Sequence, residues 1–248
     1  MRILNIIGYI AIPLAYLAHW LGHDRSWEPI ATFLLASLGV VPLAHLMGEA
    51  TEQLSERTGP TWGGLLNATF GNAAELIIGI IALTKGMNDV VKASLTGSII
   101  GNLLLVGGAA MLVGGWRREK QTFNRHAAEA NAGMLVMAVA AMLFPAMFDF
   151  TYRLHDPRYA EHERSLSVGT SVILLLVYGA GLLFTLRTHA HVFSRGPALS
   201  DEAPTGLAGI AHWSVKRSVT ILLIASAGIA LVAELLVGSA GTLADTLG

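Results

Sequence analysis

The stretch Gly63–Lys85 reads GGLLNATFGNAAELIIGIIALTK and decides the class of protein. It is long and apolar enough to cross a bilayer as one helix, yet Glu75 stands near its middle. A carboxylate at the centre of a membrane helix costs roughly 2.5–3.5 kcal/mol on insertion scales, so such a group generally handles ions or protons. On a continuous helix Asn67, Gly71 and Asn72 share the face of Glu75, which makes that side small and polar. The alternative is a lone carboxylate satisfied by a neighbouring helix in a structural bundle.

The composition is that of a multi-span membrane protein. Of the 248 residues 53% are hydrophobic and only 13% are charged, whereas a soluble domain carries about a quarter charged residues. The chain has no cysteine, which excludes disulfides, thiolate metal sites and cysteine nucleophiles. The net charge of −1 gives no reason to expect a nucleic-acid partner. Walker A, H-E-x-x-H and G-x-S-x-G motifs are absent, so we expect neither an enzyme nor a bound cofactor.

Seven apolar segments have roughly the length of a membrane span. The loop between the fourth and the fifth, residues 116–125, contains four basic residues, which predicts that this loop is cytoplasmic. Alternation then places the amino terminus in the cytoplasm. We expect the protein to lie in a bacterial-type inner (plasma) membrane. The segments are residues 4–21, 29–48, 64–84, 91–114, 126–148, 166–186 and 218–238.

The second and seventh segments end in similar sequences. Residues 43–54 read LAHLMGEATEQL, and residues 232–241 read VAELLVGSAG. Alternation makes the two segments cross the membrane in opposite directions, as the halves of an inverted-topology repeat do.

Polar residues of the fourth segment extend the candidate site. Ser98 and Asn102 lie one helical turn apart, at a depth comparable with that of Glu75. Hard cations such as calcium take six to eight oxygen ligands, and Glu75, Asn72, Ser98 and Asn102 would supply part of such a set. The alternative is hydrogen bonding between helices through small polar side chains.

Further acids stand at or inside other spans. Glu49, Glu52 and Glu56 are spaced three and four residues apart at the end of the second segment, where they could concentrate cations as a funnel. A solvated helix end explains them equally well. Glu234 lies inside the seventh segment, where it needs a partner or water.

Four stretches resemble the calcium/proton exchangers of the calcium/cation antiporter superfamily. They are Gly71-Asn72-Ala73-Ala74-Glu75, residues 50–60, residues 63–70 and residues 92–102. The resemblance implies an all-α fold of polytopic transmembrane helices, with two inverted five-helix repeats behind an extra first helix. It also implies that Glu75 is one of two acids that bind calcium and protons in turn. Sodium/calcium members carry hydroxyl residues in the corresponding motif, so Asn72–Glu75 favours protons as the counter-ion.

The same resemblance predicts the domain organisation. Residues 1–28 form the extra helix and its loop, 29–186 the first repeat, 187–217 a cytoplasmic linker, and 218–248 the first helix of an incomplete second repeat. A second Gly-Asn-Ala-x-Glu motif is expected beyond Gly248, so we interpret the chain as a truncated inverted-repeat antiporter. We expect that the chain does not exchange calcium by itself.

These observations predict a secondary transporter that exchanges calcium for protons through a buried carboxylate site. Its partners would be membrane lipid, with calcium and protons as substrates, and either an oligomer or a missing carboxy-terminal half. One alternative is a half-size cation transporter that dimerises. Another is a cation-binding membrane subunit that does not transport.

Overall fold

The computed structural model describes residues 2–22, 25–58, 60–120, 123–152, 159–189 and 213–247. All regular elements within these residues are helices, which confirms the predicted all-α class. Six of the helices are long and apolar enough to cross a membrane, and one bent pair raises the number to seven. Seven is also the number of apolar segments found in the sequence. Of the predicted linker 187–217, residues 190–212 lie outside the described part.

The helices extend beyond the apolar segments at most ends, because polar residues continue the helical hydrogen bonding past the hydrocarbon core. The third predicted span is divided between two helices, and two π-helical turns interrupt the α-helical series. The elements are α1 Arg2–Leu21, α2 Glu28–Thr58, α3 Pro60–Phe70, α4 Ala73–Thr84, α5 Asn88–Ile100, a π turn Gly101–Val106, α6 Gly107–Gly115, α7 Arg125–Tyr152, α8 Tyr159–Leu183, a π turn Phe184–Thr188 and α9 Val215–Leu247.

The chain divides into two compact units, and the first comprises Met1–Arg118 with Ala211–Gly248. Its core is the antiparallel pair of α2 and α9, with Met47, Ile229 and Val232 fully buried. At Gly228 the helices approach so closely that an added Cβ would lie 3.2 Å from the Leu43 side chain. Small residues allow such close packing between membrane helices, where lipid supplies no hydrophobic driving force.

Helix α1 packs on the other side of α2 and also contacts α9. The Tyr16 hydroxyl donates a hydrogen bond to the Leu231 carbonyl at 2.9 Å. At the end of α1, His19 Nδ1 lies 2.6 Å from Glu28 Oε1, the first residue of α2. These contacts hold the end of α1 against the start of α2 and the middle of α9.

The span predicted over residues 64–84 is present, but it is bent and divided between two helices. Helix α3 ends at Phe70, α4 begins at Ala73, and their axes differ by 45°. Gly71 allows the break, because an added Cβ would lie 2.5 Å from the Asn67 carbonyl oxygen. The polar face expected on a straight helix is therefore divided between two half-helices.

The second unit, Glu119–Ile210, contains α7 and α8. These helices pack together, and the Phe148 ring stacks on Tyr152 and Tyr159 at 4.9 and 6.1 Å between centroids. The Tyr159 hydroxyl donates to the Asp149 carboxylate. This aromatic cluster joins the end of α7 to the start of α8.

The start of α9 is fastened to α2 by a buried hydrogen bond, which supports a stability prediction. The backbone N–H of Trp213 donates to Gln53 Oε1 at 3.0 Å, and both residues are buried. Replacing Gln53 by alanine leaves this donor unsatisfied, so we expect the free energy of unfolding to fall by about 1–3 kcal/mol. Thermal unfolding in detergent measures the loss. Lys216→Ala, at an exposed position of α9, serves as control, and equal melting temperatures for the two variants would contradict the prediction.

Candidate functional site

The break between α3 and α4 lies just before Glu75, and two carbonyls at the end of α3 accept hydrogen bonds from the residues of the break. Asn67 O accepts the Gly71 N–H at 2.9 Å, and Ala68 O accepts a bond from Asn72 Nδ2 at 3.3 Å. Glu75 lies in the first turn of α4, where the helix dipole favours a carboxylate. The end of α3 carries the opposite, negative end of a helix dipole, which favours a cation. Half-helix ends of this kind hold ions in transporters with discontinuous helices.

Helices α4 and α5 form a hairpin that sets the depth of the candidate residues. They pack together and are joined by Lys85–Met87, where Gly86 has a φ of +74°. Glu75 is ten residues before Lys85, and Ser98 is ten residues after Asn88, so each lies about 15 Å from the turn. The predicted agreement in depth between Glu75 and Ser98 therefore follows from the helix lengths.

The π turn Gly101–Val106 contains Asn102, which lies four residues after Ser98. Asn102 Nδ2 lies 3.4 Å from Ser98 Oγ, so the structure brings these two predicted residues together. Single π turns inside α-helices occur frequently at functional sites. The sequence did not predict this turn.

A cavity of about 700 Å³ lies at the end of α2 and the start of α3. Glu52 and Glu56 of the predicted funnel line it together with Asn67, while Glu49 is not among its lining residues. The Ser55 hydroxyl donates to the Gly63 carbonyl at 3.0 Å and holds the two helices together beside it. The cavity therefore leads from the acidic end of α2 along the polar side of α3.

A second cavity, of about 380 Å³, lies at the other end of α2 and contains Glu234. Lys85 Nζ donates to the backbone carbonyl of Glu234 at 3.0 Å. Glu234 itself is exposed. Glu28 and Glu52 mark the two cavities and lie about 36 Å apart along α2, slightly more than the roughly 30 Å of a hydrocarbon core. The remaining lining residues are Tyr16, His19, Leu235, Gly238, Ser239 and Thr242.

The described residues do not assemble a complete ion site. No group of three or more histidine, aspartate or glutamate side chains among them could hold a metal ion. The Glu75 side chain is exposed on the described chain, so its burial stays a prediction, as does the ligand role of Asn72, Ser98 and Asn102. Sequence reasoning did not single out the lining residues Lys85, His19 or Tyr16, although the spacing of His19 and Glu28 across a short turn is a local signal.

A bundle of apolar helices with a broken span, a carboxylate at the break and a cavity at each end of α2 defines an integral membrane protein of transporter type. Residues 28–187 match the sodium/calcium exchanger protein family. The chain therefore belongs to that family, and its curated relatives confirm the predicted group of calcium/proton exchangers.

Two of those relatives are named Ca(2+)/H(+) antiporters. The one from Aphanothece halophytica is 40% identical over 250 residues, covering 96% of this chain and 64% of the relative. The one from Synechocystis is 41% identical over 252 residues, covering 98% of this chain and 66% of the relative. This chain thus spans just under two thirds of the length of each.

A solved structure, that of native YfkE, has the same fold. It superposes with a TM-score of 0.73 at 33% sequence identity, covering 99% of this chain and 64% of the YfkE chain. This similarity confirms the predicted polytopic helical fold of a cation exchanger.

Proposed function

We propose that this protein takes part in exchanging calcium for protons across a membrane, as its relatives named Ca(2+)/H(+) antiporters do. One observation carries the proposal: the span that contains Glu75 is broken at residues 71–72, between Asn67, which lines one cavity, and Lys85, which lines the other. An ion held at this depth is far from either bulk solution. Moving it requires neither a nucleotide nor a bound cofactor.

In this proposal Glu75 binds either a proton or calcium, and competition for one carboxylate couples the two fluxes. Calcium takes oxygen ligands from carboxylates, amides, hydroxyls and backbone carbonyls at 2.3–2.6 Å. Asn72, Ser98 and Asn102 supply neutral oxygens beside the carboxylate. Glu75 alone cannot neutralise a divalent ion at low dielectric, so a second carboxylate accompanies it in the working transporter.

The cavity at Glu52 and Glu56 serves as one entrance to this site. Its acids raise the local concentration of cations, and Asn67 continues the polar lining toward the break. The basic loop 116–125 supports a cytoplasmic position for this entrance and for the amino terminus.

The function is tested by calcium uptake into vesicles from cells that express this chain together with a part that supplies the second carboxylate. An imposed pH gradient should drive uptake of calcium reported by an internal dye, with valinomycin and potassium present to hold the membrane potential at zero. Uptake that equals that of vesicles lacking the protein would contradict the proposal.

Removing a neutral ligand should weaken calcium binding without abolishing transport. Ser98→Ala and Asn102→Ala each remove one oxygen from a multidentate shell, and water partly replaces it, so we expect the calcium concentration for half-maximal transport to rise roughly three- to tenfold. Thr96→Val is the control, because Thr96 lies on another side of α5. If neither variant changes the calcium dependence, this helix does not line the site.

Exchange should follow the pH gradient and not a sodium gradient. The motif Asn72–Glu75 lacks the hydroxyl residues that the resemblance associates with sodium. We therefore expect a sodium gradient at equal pH to drive less than about one tenth of the uptake that a pH gradient drives. Calcium movement that follows a sodium gradient at equal pH would show that the counter-ion is sodium and not the proton.

A further inference from the structure

The end of α6 carries a cavity that the ion pathway does not use. It has a volume of about 470 Å³ and belongs entirely to the first compact unit. One wall is apolar and exposed, with Val113 76% and Trp116 75% accessible, and the rim carries two arginines. The lining residues are Leu112, Val113, Gly114, Trp116, Arg117 and Arg118.

The two arginines have no acidic partner within the described residues. The ion pairs of that part of the chain join His19 to Glu28, and Arg125 and His126 to Glu129, and none includes Arg117 or Arg118. Residues 116–125 as a whole contain four basic residues and one acid, Glu119. Two unpaired guanidinium groups therefore stand beside an apolar surface at the end of a membrane span.

The chemistry of this cavity is that of a lipid at the membrane interface. Guanidinium groups bind phosphate oxygens through paired hydrogen bonds, and tryptophan is enriched at the level of lipid headgroups. Basic groups next to a membrane span attract anionic lipids. Leu112 and Val113 face the region where acyl chains begin, because they precede the arginines by one to two helical turns.

We propose that this cavity binds one anionic phospholipid from the leaflet at this end of α6. Arg117 and Arg118 bind the phosphodiester and its charged headgroup, Trp116 packs against the glycerol region, and the acyl chains cover Leu112 and Val113. The bound lipid satisfies both arginines and anchors the end of α6 at the interface. The site is independent of calcium and proton exchange.

The test is lipid binding to the purified 248-residue chain in neutral detergent micelles, measured by native mass spectrometry. Phosphatidylglycerol and phosphatidylcholine with identical acyl chains are titrated in parallel. We expect the first phosphatidylglycerol to bind at least roughly tenfold more tightly than phosphatidylcholine. The double variant R117Q/R118Q should lose that preference.

A matched control separates a defined site from diffuse attraction. K120Q/R125Q removes the same number of positive charges from the same segment, but neither residue lines the cavity, so the preference should remain. Equal loss in both double variants, or equal affinity for both lipids in the original chain, would overturn the proposal. Displacement of phosphatidylglycerol by millimolar inorganic phosphate would do so too, because it would indicate a site for soluble anions. If R117Q/R118Q does not fold, R117Q and R118Q are measured singly, and each should weaken phosphatidylglycerol binding about fivefold.

Discussion

In a transporter that also contains the second carboxylate, glutamine in place of Glu75 is expected to abolish calcium uptake driven by a pH gradient. Glutamine keeps the shape of the side chain and one carbonyl oxygen, but it cannot carry a proton between states or balance the charge of calcium. We expect the rate to fall at least about 100-fold, to the level of vesicles without the protein. Uptake into everted vesicles, recorded by an internal calcium dye after a pH jump, measures the effect.

Asp89→Asn is the matched control for this experiment. Asp89 is exposed in the first turn of α5, as Glu75 is in the first turn of α4, so both variants lose an acid at a helix amino terminus. Only the Glu75 variant should lose transport. Normal pH-driven uptake by Glu75→Gln would remove the carboxylate from the mechanism.

Valine in place of Gly71 is expected to reduce transport at least about tenfold while leaving the outer helices folded. Any Cβ at this position meets the Asn67 carbonyl oxygen at 2.5 Å, so the end of α3 has to move. That movement displaces the carbonyls of α3 relative to Glu75, and misplacement by about 1 Å costs roughly 100-fold where geometry is essential.

Gly79→Val controls for the loss of a glycine in the same span. An added Cβ at Gly79, in the interior of α4, meets no atom within 4 Å. We expect near-normal uptake for this variant, with melting temperatures in detergent reporting folding for both. Equal uptake by the two variants would show that the break does not need Gly71.

The spans could be predicted from the sequence, but the angle between the two halves of one of them could not. Lipid-facing helices need long apolar runs, and this requirement alone identifies α2, α7 and α9. Residues 63–85 form one such run without proline, so nothing local requires the helix to stop at Phe70. Packing accompanies the break: α3 lies on α2, and α4 lies on α9.

Single residues of the site could be predicted from the sequence, but their arrangement in space could not. Glu75 is evident because an acid is costly within an apolar span, and the structure places it at the break. The cavity that joins Glu52 and Glu56 to Asn67 depends on the angle between α2 and α3, which has no local signal. Likewise, Lys85 reaches Glu234 across 149 positions of sequence, a contact that only the packing of α4 on α9 creates.

The two halves of the broken span are attached to different neighbours, and this has a mechanical consequence. Ser55 fastens α3 to α2 at one end, and Lys85 fastens α4 to α9 at the other. Any displacement of α9 along α2 therefore pulls the half-helices in different directions. Asn72, between these two attachments, has non-helical dihedral angles, with φ −115° and ψ 15°. The break therefore lies where the span changes its neighbour from α2 to α9, and Glu75 follows it by about one turn.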